Sequence, residues 1–267
     1  CERRFDEVEL LIIYLDGKDL GGHQVVCAVG VDVEGRKHVL GLTEGATENA
    51  VVVRRLLEDL VERGVAPGRR RLFVIDGSKA LRKAIDQVYG RDNPVQRCQV
   101  HKRKNVLAYL PQELQAQTAA ALRAAWRLEP SEGMARLRTQ IAWLEREHPQ
   151  AAASLREGLE ETFTINSLGL PPMLRRCLAT TNVIESSLAG VEHRTGRVTR
   201  WRDGEMALRW AAAAALETEC HFRKIMGHRD LWMLKAALDE GQLVTDEPAI
   251  RAADQSPNAI DKELVAT

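Results

Sequence analysis

Strand-forming sequence is confined to the first hundred residues of this chain, and helix-forming sequence takes over after it. Residues 10–16, 24–33 and 37–43 are rich in Val, Ile and Leu and are bounded by Asp16-Gly17, Gly21-Gly22 and Glu34-Gly35. Short runs of this kind between turn dipeptides read as strands, and Asp-Gly and Gly-Gly punctuation favours antiparallel hairpins. Val51, Val52, Leu56, Leu57 and Leu60 then recur near a 3.6-residue period. That spacing predicts a helix over about 47–63, ended by Gly64-Val65-Ala66-Pro67-Gly68. A strand at 71–76, a helix at 79–89 and a short strand at 95–100 follow. From 102 to about 178 Ala, Leu, Glu and Arg dominate, with breaks near Pro130, Pro149 and Pro171-Pro172, which predicts several helices. Two more helices are expected at 182–195 and 205–226.

Three strands, then helix, strand, helix and strand, is the order of a ribonuclease-H-like core. The expected fold class is therefore α/β: a mixed sheet flanked by helices, with an all-helical insertion. Residues 1–101 would form the first part of the core, 102–178 the insertion and 179–228 the helical return. Residues 229–267 read as an acidic C-terminal tail, frayed from about 239 onward.

Composition narrows the function classes. At 267 residues with 45% hydrophobic and 28% charged, the chain has the make-up of a globular protein. No apolar stretch approaches the roughly 20 residues of a membrane helix, and no signal peptide opens the chain, so the expected location is cytoplasmic with no membrane partner. Five dispersed cysteines suggest reduced thiols rather than a disulfide framework. The 38 basic and 38 acidic residues balance, so any case for nucleic acid rests on local clusters. The opening Cys1, in place of Met, is read as a fragment lacking an N-terminal segment.

Three acids sit where predicted elements begin or end. Asp16 closes the run Leu10–Leu15, Asp76 closes Leu72–Ile75, and Glu185 lies early in the helix expected at 182–195. Hard divalent ions such as Mg²⁺, or Mn²⁺, take carboxylate oxygens, and two ions roughly 4 Å apart activate phosphodiester chemistry. Each acid alone has a plainer reading. Asp16 and Asp76 precede glycine and fit turns, while Glu185 stands three residues after Asn182 and imitates a capping box. Asp32, Asp86 and Glu192 are rivals, of which Asp32, also at a strand end, is the most serious.

Cys98 and His101 have a zinc-like spacing, but two further ligands are needed, and Cys177, His193, Cys220 and His221 offer no paired motif. Cys98 is expected to pack beneath the sheet and His101, at the strand end, to orient catalytic groups or contact phosphate. Two basic clusters, Arg97, His101, Lys102, Arg103, Lys104 and His193, Arg194, Arg197, Arg200, Arg202, flank the acids and suit phosphate contacts. Trp201 would either stack on an unpaired base or anchor the turn before the next helix.

From about residue 10 to 226 the chain resembles the Mutator-type transposases of bacterial insertion sequences. The most specific stretches are Asp76-Gly77-Ser78-Lys79-Ala80-Leu81 and Gln96-Arg97-Cys98-Gln99-Val100-His101 through Asn105. Asn182 to Ser187 and Arg197 to Trp201 are similar to the third-acid region. The resemblance implies an Asp-Asp-Glu site in a ribonuclease-H-like core, with Asp16, Asp76 and Glu185 as metal ligands and Cys98 and His101 as an accessory motif. It also implies cleavage and strand transfer on DNA with terminal inverted repeats, transfer into target DNA, and a homodimer to pair the ends. Ala80, where the family often has Gly, and Tyr89-Gly90, in place of an aromatic-Pro pair, depart from the pattern without touching the acids. Two rival readings remain: a metal-dependent nuclease without strand transfer, and an inactive DNA-binding fragment.

Overall fold

β1 (Leu10–Leu20) lies at the centre of a five-stranded mixed sheet ordered β3-β2-β1-β4-β5. The computed structural model describes residues 3–47 and 49–241. β2 (His23–Asp32) and β3 (Lys37–Glu44) continue from β1 as antiparallel neighbours, while β4 (Leu72–Ile75) and β5 (Val95–Arg97) run parallel to it. β1 is buried from Leu10 to Asp16 because helices cover both faces of the sheet.

The period-2 alternation of strand side chains divides the core. Ile13, Leu15, Val26 and Phe73 pack toward α1 (Ala50–Glu62) and α2 (Lys79–Tyr89). Ile12, Tyr14, Cys27 and Val74 face α8 (Pro172–Leu178), α9 (Asn182–Thr195) and α10 (Gly204–Glu219). From Ile12 onward the even-numbered positions of β1, like those of β4, therefore look toward α9, the helix that carries Glu185. Between these parts lie α3 (Gln99–Leu107), α4 (Gln112–Ala125), α5 (Pro130–Leu144), α6 (Pro149–Arg156) and α7 (Thr164–Ser167). Leu122, Leu137, Leu144, Leu155 and Phe163 give this stretch an apolar core of its own.

Several boundaries differ from those the sequence suggests. β1 does not stop at Asp16-Gly17: Asp16 pairs opposite Cys27 and Gly17 opposite Val26, and the hairpin turns at Gly21-Gly22 instead. Gly17 serves close packing, since a Cβ there would lie 2.8 Å from Thr47 Cγ2. β5 ends at Arg97, and Cys98 caps α3, so His101 sits in a first helical turn rather than at a strand end. α10 ends at Glu219, short of the expected 226. Of the expected tail, residues 231–241 are helical, with Leu231, Leu234 and Leu238 buried against the core; its remainder lies outside the described residues.

Candidate active site

Strand register brings the two aspartates together. Leu15 and Ile75 are the last paired positions of the parallel β1–β4 ladder, and Asp16 and Asp76 are the next residue on each strand. Asp76 enters a turn: its Oδ1 accepts from Ser78 N (2.9 Å), Gly77 takes φ +114, and Ser78 caps α2. Asp16 is 7% exposed and accepts from Gly17 N (3.0 Å). Burial, then the neighbouring Asp76 carboxylate, pushes its carboxyl from the ordinary 3.8 up to about 6, with Glu185 adding to the rise and His101 opposing it.

Glu185 and His101 approach from the helices. Glu185 N donates to Thr181 O (2.9 Å), and Thr181 Oγ1 donates to Glu185 Oε1 (2.6 Å), pinning the carboxylate one turn into α9. His101 Nε2 lies 4.0 Å from the same Oε1, and His101 Nδ1 is 3.3 Å from Thr181 Oγ1. The Cys98 sulfur accepts from His101 N and Thr181 N, both at 3.4 Å. Burial raises the Cys98 thiol, but hydrogen bonds from His101 and Thr181 outweigh it and leave the group below its ordinary value. Beside that sulfur, and near Asp16 and Glu185, His101 is held up at about 9 and is an imidazolium at neutral pH. Thr181, fully buried, is the group that sequence reasoning misses. Its signal, Thr-Thr directly before the helix, is masked by the capping-box reading of Asn182.

The rival acids have other employment. Asp32 accepts from Glu34 N and Arg36 N (2.9 Å each) and pairs with His38 (2.8 Å), closing the β2–β3 hairpin. Asp86 pairs with Arg82, and Glu192 with Lys18 (2.7 Å). Among the described residues Asp16 and Asp76 make no ion pair, although one is buried beside the other.

Two donor sets meet here. Cys98 Sγ, His101 and Glu185 have ligand atoms within 4.8 Å of one another, so Glu185 supplies a third member to the Cys98–His101 spacing. The Cys98 sulfur, however, is fully buried and already committed to two backbone amides. The Asp16–Asp76 pair offers hard oxygens that make no ion pair among the described residues, the donor chemistry that suits a hard divalent cation.

The rest of the motif around Cys98 is structural. Gln96, fully buried, donates to Thr162 O (3.1 Å) and accepts from Ile165 N (3.1 Å), tying β5 to the helical stretch. Arg97 and Lys102, expected to meet phosphate, are instead turned inward. Arg97 Nη1 donates to Gly77 O (2.9 Å) and its Nε to Glu161, while Lys102 Nζ donates to Ser154 O (2.7 Å) and Glu157 O (2.6 Å). A cation buried at 4–6% exposure needs such partners, and these two have them. Lys104 is exposed and Arg103 half-buried on α3; Arg197 and Arg200 are exposed after α9, and Arg194 is half-buried on it. Trp201 packs over the β1–β2 turn, where a Cβ on Gly21 (φ +62) would collide with its ring, so it anchors that turn.

Residues 12–224 match the family described as transposase, Mutator family. The chain belongs to the Mutator family of transposases. It is 31% identical over 170 residues to the transposase for insertion sequence element IST2 of Acidithiobacillus ferrooxidans, covering 63% of this chain and 56% of that protein. It is 32% identical over 188 residues to a probable insertion-sequence transposase of Corynebacterium diphtheriae, covering 66% and 52%. A similar match, 31% over 174 residues, is to the transposase for insertion sequence element IS6120 of Mycolicibacterium smegmatis, covering 64% and 52%. The chain thus spans about half the length of the relatives it matches. Among its described residues no helix is long and apolar enough to cross a membrane.

Proposed function

We propose that this chain is the catalytic portion of an insertion-sequence transposase, with a ribonuclease-H-like core interrupted by a helical insertion and an Asp16-Asp76-Glu185 site. The observation that carries the reading is the pair of carboxylates one position past the parallel β1–β4 register, neither in an ion pair among the described residues, with Glu185 and His101 near the buried member. Mg²⁺ or Mn²⁺, held by the Asp16 and Asp76 carboxylates with Glu185 completing the set, would supply Lewis acidity to the attacking and leaving oxygens. The chain's own groups do the rest. Burial of Asp16 keeps bulk water from its carboxylate, Thr181 fixes the Glu185 oxygen, and the His101 imidazolium offers a donor and positive charge to a phosphate oxygen. The reaction is hydrolysis of a phosphodiester at an element end, releasing a 3′ hydroxyl, and attack of that hydroxyl on target DNA with expulsion of a second 3′ oxygen. DNA with terminal inverted repeats and target DNA are the partners, and pairing two ends calls for a homodimer.

The test is incubation of the chain, beside a full-length relative, with repeat-bearing DNA and Mg²⁺ or Mn²⁺. Nicked ends and strand-transfer products that vanish in Asp76→Asn are expected; unchanged products in that variant would sink the assignment. Nicking without joining would favour a plain nuclease. Thr181→Val should lower turnover about 10- to 100-fold, the usual effect of removing a group that orients a metal ligand. Thr181→Ser, which restores the hydroxyl, should recover most of it. Equal activity in the Val variant would show that Glu185 does not depend on this bond.

A further inference from the structure

Five arginines from three stretches of the chain converge on one cavity beside the candidate site. The cavity, about 350 Å³, is lined by Arg103 of α3, Arg123 and Arg127 at and just past the end of α4, and Arg175 and Arg176 in the last turn of α8. Among the described residues no acidic side chain lines it. Its wall toward the site holds Gln99 and Ala179, whose backbones are joined by a hydrogen bond from Gln99 N to Ala179 O (2.9 Å). Cys98 precedes Gln99, and Thr181 stands two residues beyond Ala179.

Among the described residues none of these five arginines forms an ion pair; Arg176 Nη2 reaches the Met226 sulfur (3.3 Å). Among the described residues some exposed arginines elsewhere are paired, as Arg136 is with Glu132 (2.9 Å) and Arg209 with Glu205 (3.8 Å), while others, such as Arg55 and Arg146, are not; what sets these five apart is their convergence on one cavity. With 38 acidic residues for 38 basic ones, partners are not scarce in this chain. A plainer reading is that Arg123, Arg175 and Arg176 offset the negative ends of α4 and α8. Two helix ends carry about one negative charge between them, against five positive ones. The surplus is mutually repulsive and calls for a polyanion.

We infer that this cavity seats the sugar–phosphate backbone of DNA on its way to the candidate site, an assignment that rests on the DNA-processing reading above. The arginines position the strand without reading bases. The helical stretch between β5 and α9 then does more than cover the sheet, because it contributes all five arginines of the track.

Binding of a labelled mixed-sequence 30-base-pair duplex, followed by anisotropy across a KCl series, tests this. Each phosphate contact contributes about 0.9 to the slope of log affinity against log salt, so Arg123→Ala/Arg127→Ala should flatten the slope by about 1.8. Both side chains are exposed, so the far-ultraviolet circular dichroism should not change. Arg136→Ala/Arg138→Ala removes the same charge from α5 and should leave the slope as it is. Duplex binding with an unchanged slope in the Arg123/Arg127 variant, or an equal loss in the α5 control, would overturn the track alone. No duplex binding by the unaltered chain at low salt would overturn the track and the DNA reading together.

Discussion

Asp16→Asn is expected to abolish cleavage while making the metal-free fold more stable. The lost activity follows from removing one of the three carboxylates that would hold a cation whose electrostatic contribution is worth several kcal/mol, so turnover should fall about 10³-fold or more. The gained stability follows from burial beside Asp76. Raising the Asp16 carboxyl from 3.8 to about 6 corresponds to about 3 kcal/mol lost at neutral pH. The sign is that of a raised acid: between those values the folded state binds more protons than the unfolded one. Stability is therefore fully present below about pH 4, falls as pH rises through 6, and levels off above. The Asn side chain keeps an oxygen to accept from Gly17 N and carries no charge, so the variant's melting temperature should exceed that of the unaltered chain by about 5–10 °C at pH 8 and by little at pH 4. Mg²⁺ should raise the melting temperature of the unaltered chain at pH 8 and leave that of the Asp16→Asn variant unmoved. A variant that melts lower at both pH values, or cleaves within tenfold of the original, would contradict this account.

Both the location of this site and the errors in reading it trace to local physics. Asp76 is legible because Leu72–Ile75 is a short apolar run that ends in a true turn, with Gly77 at positive φ and Ser78 as a cap. Asp16-Gly17 is misread as a turn: Asp-Gly looks like one, yet the strand runs on past it, with Gly17 needed where Thr47 packs against it. α9 is legible to the residue, but assigning its cap to Asn182 hides Thr181 and its bond to Glu185. Cys98–His101 reads as a strand end because Val95–Arg97 runs straight into it. The reversal into α3 depends on a thiol accepting from His101 N, a capping role that sequence propensities do not assign to cysteine. The basic cluster at 97–104 is the least legible feature, since charge in sequence says nothing of direction. Arg97 and Lys102 point in, and Lys104 points out.

That inward turn makes Arg97 the position where a structural and a DNA-binding role predict different outcomes. Its guanidinium bonds to Gly77 O and Glu161 and lies against Gly158, where a Cβ would come within 2.3 Å of Arg97 Nε. Arg97→Ala leaves the Gly77 carbonyl without its donor and, among the described residues, Glu161 with only Arg82 (2.8 Å) to neutralise it. Breaking a fully buried pair costs about 3–5 kcal/mol; Glu161 is about a quarter exposed and keeps one partner, so about 2–3 kcal/mol is expected here. The urea midpoint should drop accordingly. Arg97→Lys should recover little of it, because one ammonium cannot reach both oxygens in the fork geometry that Arg provides. Lys104→Ala, an exposed change on the same motif, should stay within about 0.5 kcal/mol. Were Arg97 a phosphate contact, the pattern would reverse: Lys would substitute well, the midpoint would hold, and the salt dependence of DNA binding would flatten by about one contact. The Gly77 carbonyl links this test to the site, since it belongs to the turn that sets Asp76 beside Asp16. Arg97→Ala should therefore lower cleavage more than its loss of folded protein accounts for, measured at a temperature where the variant is still fully folded.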